Sequence, residues 1–235
     1  MKQLAFMLLV AALMPSCGDR AKGKAKEKEV TQRKTPDMKA ALAEEGLALG
    51  SPVFIRAFKE ERELELFVED KGTGKFRLFR TYPIAAASGD LGPKLAEGDG
   101  QVPEGFYHVG PKAMKPDSEF HLAFNIGYPN EFDRAHGRTG SFIMIHGNAV
   151  SIGCLAMTDE KIEEIYTIAD AAHQGGQPFF RVHIFPFRMT EERMEKAAGR
   201  EWIGFWKNLK TGYVLFEKNK VPPEVKVRGK AYVFE

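Results

Sequence analysis

Apolar positions change their spacing several times along this chain, and each change marks a predicted element. Residues 4–14 form one unbroken apolar run, while 18–35 hold a single sizeable apolar residue, Val30. Thr35-Pro36-Asp37 then has the order of a helix start: an N-cap hydroxyl, proline at the first turn and a carboxylate at the positive end of the dipole. The helix runs on through Glu45 to Gly46, making residues 36–50 a helical lead-in. Beyond it the period shortens to two. Val53–Ile55 and Leu64–Val68 predict strands, the second paired with Phe76–Phe79 across a Lys71–Gly74 turn.

Further strands are predicted at Phe106–Val109, Phe120–Ile126, Phe142–His146 and Phe179–Phe185. Between the last two, Thr158 caps a helix that extends to about His173 and closes at Gly175-Gly176. Thr190 opens another short helix, and Trp202–Leu209 is amphipathic. Short strands with a few interspersed helices predict a mainly β, α+β domain. The connection from Ser88 to Gly105 is rich in Gly and Pro, and a structureless loop of that length usually serves a site.

Composition refines this only at the N-terminus. The chain has 235 residues and a formal charge of +2, too small for a field that would gather nucleic acid. Met1-Lys2 and the 4–14 run have the make-up of a secretory leader and are too short to span a bilayer. Residues 1–17 are expected to be a signal peptide, with Ser16-Cys17 resembling a lipobox that would acylate Cys17. Export to the periplasm or cell envelope and a lipid anchor in a membrane follow from that reading. Residues 18–35, with seven Lys/Arg and three Asp/Glu, are expected to be a solvated tether, because so few apolar groups cannot offset the entropy of ordering.

The chain has two cysteines, Cys17 and Cys154. If the first is acylated, the second has no disulfide partner in an oxidising compartment, where an idle thiol is a liability. Its surroundings suggest chemistry. The apolar run Phe142–Ile145 ends in His146-Gly147, and Ser151-Ile152-Gly153-Cys154 follows closely. A thiol needs a base to become a nucleophile, and a nearby imidazole is suited to the task. Gly153 permits a tight turn, and the backbone N–H groups of Gly153 and Cys154 are candidates for an oxyanion hole. The histidines and Cys154 show no CxxC or HExxH spacing, so neither a metal nor another cofactor is expected.

In order, Val102–Tyr107, Ile145-His146-Gly147 and Ser151–Cys154 resemble the signature of the L,D-transpeptidase catalytic domain, the YkuD-type family. Ser88–Lys94, Phe124–Pro129, Asp133-Arg134, Gly137–Gly140 and Val182–Thr190 resemble its murein L,D-transpeptidase YafK subgroup. The resemblance implies a β-sandwich of mixed sheets over residues 51–216, with 217–235 as a C-terminal extension. It also implies acyl transfer on peptidoglycan stem peptides through a Cys154 thioester, with His146 as base and Gly153 and Ser151 shaping the turn. A hydrolase of the same family, cutting cross-links or wall-attached protein, and a non-catalytic wall-binding lipoprotein are the alternatives. Gly147, Asn125, Tyr128, Arg138 and Lys94 are candidate substrate contacts, because stem peptides carry free carboxylates and an amine. Ile152 and Ala156 stand where most members have histidine and arginine or asparagine, which implies altered donor contacts.

Overall fold

The computed structural model describes residues 17–235; the leader-like run at 4–14 lies outside the described residues. In chain order the elements are helix α1 (Cys17–Glu44), strands β1 (Val53–Phe58), β2 (Glu63–Asp70), β3 (Lys75–Pro83), β4 (Ala86–Ala87), β5 (Gly105–Val109), β6 (Met114–Lys115) and β7 (Ala123–Asn125). Helix α2 (Glu131–Ala135), strands β8 (Met144–His146) and β9 (Leu155–Ala156), α3 (Asp159–Gln174) and β10 (Phe180–Phe185) follow. Helices α4 (Glu191–Lys196) and α5 (Ile203–Asn219) and the hairpin β11 (Val225–Arg228)–β12 (Ala231–Phe234) complete the chain.

The strands form two mixed five-stranded sheets, ordered β3-β2-β1-β10-β5 and β4-β9-β8-β7-β6. The expected α+β class with mixed sheets is what the chain adopts. Every residue of β1 is buried, as befits a central strand covered on both faces. Val53, Ile55 and Ala57 face a core shared with Phe124, Ile145 and Leu155 of the second sheet and Ile165 of α3. Phe58 turns the other way, into a cluster with Phe185, Trp206 and Tyr232. The C-terminal hairpin therefore belongs to the packed body through Tyr232 rather than trailing from it.

The segment 18–35 differs from expectation: it is helical and docked, not a tether. Gly23, Lys26, Val30, Lys34, Met38 and Leu42 recur at helical spacing on one side, and Val30 is only 3% exposed. Lys26 Nζ donates to the carbonyls of Ser118 (3.2 Å) and His121 (2.6 Å), and Arg33 Nη2 reaches Glu163 at 2.7 Å. Tyr166 Oη donates to Glu27 at 2.7 Å. Pro36, expected to open the helix, lies inside it on the exposed side. Its missing N–H costs one helical bond, which these contacts and the burial of Met38 and Leu42 offset.

The loop 88–105 is held as firmly as an element. Buried Lys59 donates to the carbonyls of Gly92 (2.8 Å) and Val102 (2.9 Å) and pairs with Glu104 at 3.1 Å. Glu104 in turn accepts from Gly92 N–H (2.7 Å) and Trp206 Nε1 (2.8 Å), so both its oxygens are engaged by the loop and its support. Removing one partner from such a buried pair strands the other charge.

The docked helix is open to a direct check. A Cβ on Gly23 would stand 2.7 Å from the Asp117 backbone, which a flexible side chain cannot relieve by moving. Gly23→Leu is expected to cost roughly 1–3 kcal/mol by overpacking, lowering the melting temperature by about 2–10 °C. A solvated tether would show no change in the same melting experiment.

Candidate active site

Strands β8 and β9 run parallel, with Ile145 level with Leu155 and His146 level with Ala156. Continuing the ladder one residue back sets Cys154 beside Met144, and Met144 N–H donates to Cys154 Sγ at 3.5 Å. Side chains alternate along a strand, so Met144 and His146 share a face and Cys154 opens on the same side. Ordinary strand spacing puts the two Cα atoms of Cys154 and His146 roughly 8 Å apart. Both side chains line one cavity of about 340 Å³, walled by Phe120, Phe142 and Met144 and rimmed by Lys115, Asp117 and Glu119.

His146 is 3% exposed, and its ring lies 4.9 Å from that of Phe120. Nδ1 sits 2.6 Å from the Gly147 carbonyl, which can only accept, so Nδ1 carries the proton and Nε2 a lone pair. Burial lowers the imidazole's pKa, against the opposing pull of the Gly147 carbonyl, and favours the neutral ring. Burial likewise raises that of the Cys154 thiol, opposed by Met144 N–H and by the charge of Lys94. The thiol's hydrogen-bond partners are Met144 N–H and the Phe142 carbonyl, at 3.8 Å. Both shifts favour the uncharged forms, thiol and neutral imidazole.

The turn that carries Cys154 is built by two serines. Ser151 Oγ accepts from Cys154 N–H (3.0 Å) and donates to the Cys154 carbonyl (2.6 Å). Ser88 Oγ accepts from Gly153 N–H (2.7 Å) and donates to the Gly100 carbonyl (2.7 Å). This corrects one expectation: the N–H groups of Gly153 and Cys154 are not open oxyanion donors but are taken by hydroxyls. Gly153 has φ +91°, a conformation glycine adopts without strain. Ala149 (φ +47°), Asn148 (+66°), Phe142 (+53°) and His121 (+67°) hold positive φ without being glycine, and all four border the site. Backbone strain gathered at one place is a mark of function rather than of packing.

The remaining predicted residues divide. Gly147 belongs to the site: its carbonyl sets the His146 tautomer, and a Cβ there would meet Asp159 Oδ1 at 2.5 Å. Asn125 lines an adjoining groove, its Oδ1 accepting from Gly127 N–H at 2.9 Å. Tyr128 also lines that groove, but its hydroxyl is spent on the Lys94 carbonyl at 3.1 Å. Lys94 and Arg138 are not free to receive a carboxylate. Lys94 Nζ is buried against Asp99 (2.6 Å) and the Ala96 carbonyl, and Arg138 Nη1 against Asp133 (2.8 Å). Burial works to raise the Asp99 pKa, but three backbone N–H groups and Lys94 hold it down at about 2. Asp133, with Tyr107 and Arg138 on it, is likewise internal. Ser88, Phe120 and Phe142 carry parts of the site that sequence reasoning did not assign. Only Ser88 had a signal, as the first residue of the long Gly/Pro-rich loop.

Phe142 also explains a shortened strand. The predicted strand over 142–146 begins at Met144, because φ +53° at Phe142 breaks the extended run. The strand predicted over 120–126 keeps only Ala123–Asn125, because His121 has φ +67°. His121 leaves the ladder and places Nε2 3.0 Å from Glu163.

Residues 52–217 match the L,D-transpeptidase catalytic domain family, YkuD. The chain is 48% identical over 185 residues to the Escherichia coli (strain K12) protein named "Putative L,D-transpeptidase YafK", covering 79% of this chain and 74% of that one. Among solved structures it is similar to a point mutant of the helical cell shape determining protein Pgp2 from Campylobacter jejuni, at 22% identity and TM-score 0.47. That match covers 72% of this chain and 58% of the other. It is also similar to Bd1075 of Bdellovibrio bacteriovorus, at 21% identity and TM-score 0.40, over 76% and 78% of the two chains. By the family match across its folded body and its identity to that relative over most of its length, the chain belongs to the L,D-transpeptidase catalytic domain (YkuD) family.

Proposed function

We propose that this protein is a cysteine acyltransferase that acts on peptidoglycan stem peptides through a thioester on Cys154, with His146 as general base and acid. The observation that carries the reading is the shared face of β8 and β9. There a thiol and a neutral imidazole whose Nε2 is unprotonated open into one apolar cavity. Membership of the family supplies the substrate class.

The chemistry follows from the resting state. His146 Nε2 takes the thiol proton as Sγ attacks the carbonyl carbon of the stem peptide. The C–N bond then breaks, the same proton passes to the departing amine, and the acyl group remains on sulfur. An acceptor amine, deprotonated by His146, attacks the thioester, the C–S bond breaks and the thiol takes back its proton. Water in the acceptor's place gives hydrolysis, by the same residues. The side chain of Ile152 is 88% exposed beside the nucleophile and offers an apolar surface to whatever approaches.

The protein's place is proposed from the leader-like sequence alone: export, with Cys17 as an acylated anchor at a membrane of the envelope. The labelling experiment is metabolic incorporation of a palmitate analogue. Label is expected on the wild type and absent from Cys17→Ser; label that survives the substitution rejects the anchor.

Two outcomes test the chemistry. Cys154→Ala is expected to abolish turnover of isolated peptidoglycan. His146→Ala should lose on the order of 10²–10⁴ in rate, read by chromatography of the released or newly cross-linked peptides. Full activity in His146→Ala would remove the base from the proposal. The second outcome concerns pH. Because burial raises the thiol's pKa, the rate of Cys154 alkylation by iodoacetamide should climb through a midpoint above the ordinary thiol value of ~8.5. Because burial lowers the imidazole's pKa, the acid limb of the turnover profile should fall below the ordinary histidine value of ~6.5. An alkylation midpoint below 7 would instead mean a preformed thiolate–imidazolium pair.

A further inference from the structure

A second cavity, of about 640 Å³, adjoins the Cys154–His146 cavity and shares two of its walls, Lys115 and Phe142. Its polar lining is Lys112, Lys115, His108, Asn125 and Ser141, with no carboxylate among the lining residues. The buried cations Lys59, Arg56, Lys94 and Arg138 are matched by Glu104, Glu65, Asp99 and Asp133, whereas Lys112 is exposed and Lys115 half-buried. Lys112 and Lys115 pair with no carboxylate among the described residues. Lys112 lies within a short 3-10 turn, Pro111–Ala113, and Lys115 just beyond it, and the turn's rigid proline start sets where they project. The cavity of Cys154 and His146 differs in charge, with Asp117 and Glu119 on its rim beside Lys115. A ligand lying through both cavities would therefore meet positive charge alone in the second and carboxylates beside Lys115 in the first.

We propose that the groove of Lys112, Lys115, His108 and Asn125 is the carboxylate-binding subsite for the stem peptide, selecting stems with free over amidated carboxyl groups. The proposal rests on the acyl-transfer reading for its substrate class. It goes beyond that reading by naming the residues that choose among stems. Each ammonium offers charge-assisted hydrogen bonds to a carboxylate, and neither must leave an existing ion pair to do so. A carboxamide keeps the shape but loses the charge, so the discrimination is electrostatic and weakens with salt. Asn125 lines the groove with its Oδ1 taken by Gly127 N–H, which leaves its amide N–H groups to act as donors. Asp117 and Glu119, on the rim of the Cys154 cavity, complement the ammonium of the diamino acid.

The test uses the full chain carrying Cys154→Ala, so that binding is measured without turnover. Two synthetic stem peptides with a diamino acid are compared by calorimetry, one with free carboxyl groups and one with carboxamides. The free-acid peptide is expected to bind on the order of tenfold more tightly at low salt, with the gap closing as salt rises. Adding Lys112→Gln and Lys115→Gln should erase the preference, and Lys→Arg at both positions should keep it. Equal affinities for the two peptides, no measurable binding of the free acid, or a preference that survives the double glutamine variant would each overturn the subsite. Acylation of Cys154 by the same peptides in the otherwise unsubstituted chain is read separately by intact mass. Preference without acylation sinks the catalytic proposal and keeps the subsite, and acylation without preference does the reverse.

Discussion

Everything at this site depends on a parallel strand pair joined by an unusually short connection. Parallel neighbours usually need a crossover of a dozen or more residues, yet residues 147–154 alone link β8 to β9. A chain that short cannot leave the edge of the sheet and return without tight reversals. The positive φ values at Asn148, Ala149 and Gly153 are those reversals. The register they enforce puts the imidazole at the end of one strand and the thiol at the start of the next, on one face. The connection is thus both the crossover and the turn that carries Cys154, and its strain is inseparable from the alignment of the thiol with the imidazole.

Such a turn needs support from outside itself. Ser88 ties it to the 88–105 loop, which the buried Lys59–Glu104 pair and Trp206 hold against α5. Asp159, in the first turn of α3, receives the Asn148 N–H at 2.7 Å. On the opposite wall Lys26 of α1 gathers the carbonyls either side of Phe120, whose ring covers His146. The matched catalytic domain begins at residue 52, so α1 lies outside it and still shapes one wall of the cavity.

Much of this was legible in the sequence, and the exceptions share a cause. Period-two runs located the strands, Thr158 marked the helix behind the nucleophile, and the Cys154–His146 pair stood out for its residue types and spacing. The docking of α1 was hidden because its stripe is made of Gly23, Lys26 and Lys34 as much as of Val30. A small residue for close approach and lysines reaching backbone carbonyls have no hydropathic signature. Lys94 and Arg138 were misread for a related reason: a charge in a sequence carries no mark of its partner, and both partners, Asp99 and Asp133, sit in the same local turn. The oxyanion expectation failed at Ser88, whose contact with Gly153 joins residues far apart in the chain. Local periodicity and chemistry are legible in the sequence; which polar groups pair with which, near or far along the chain, is not.

The central claim is that Cys154, and no other group, receives the acyl chain from a peptidoglycan stem. Rapid acid quench of the wild-type protein with a stem peptide, followed by proteolysis and mass spectrometry, reads this directly. A hydroxylamine-sensitive adduct of the acyl mass on the fragment containing Cys154 is the expected result. An adduct on any other residue, or turnover of the peptide with no adduct on Cys154 at any quench time, would contradict the account.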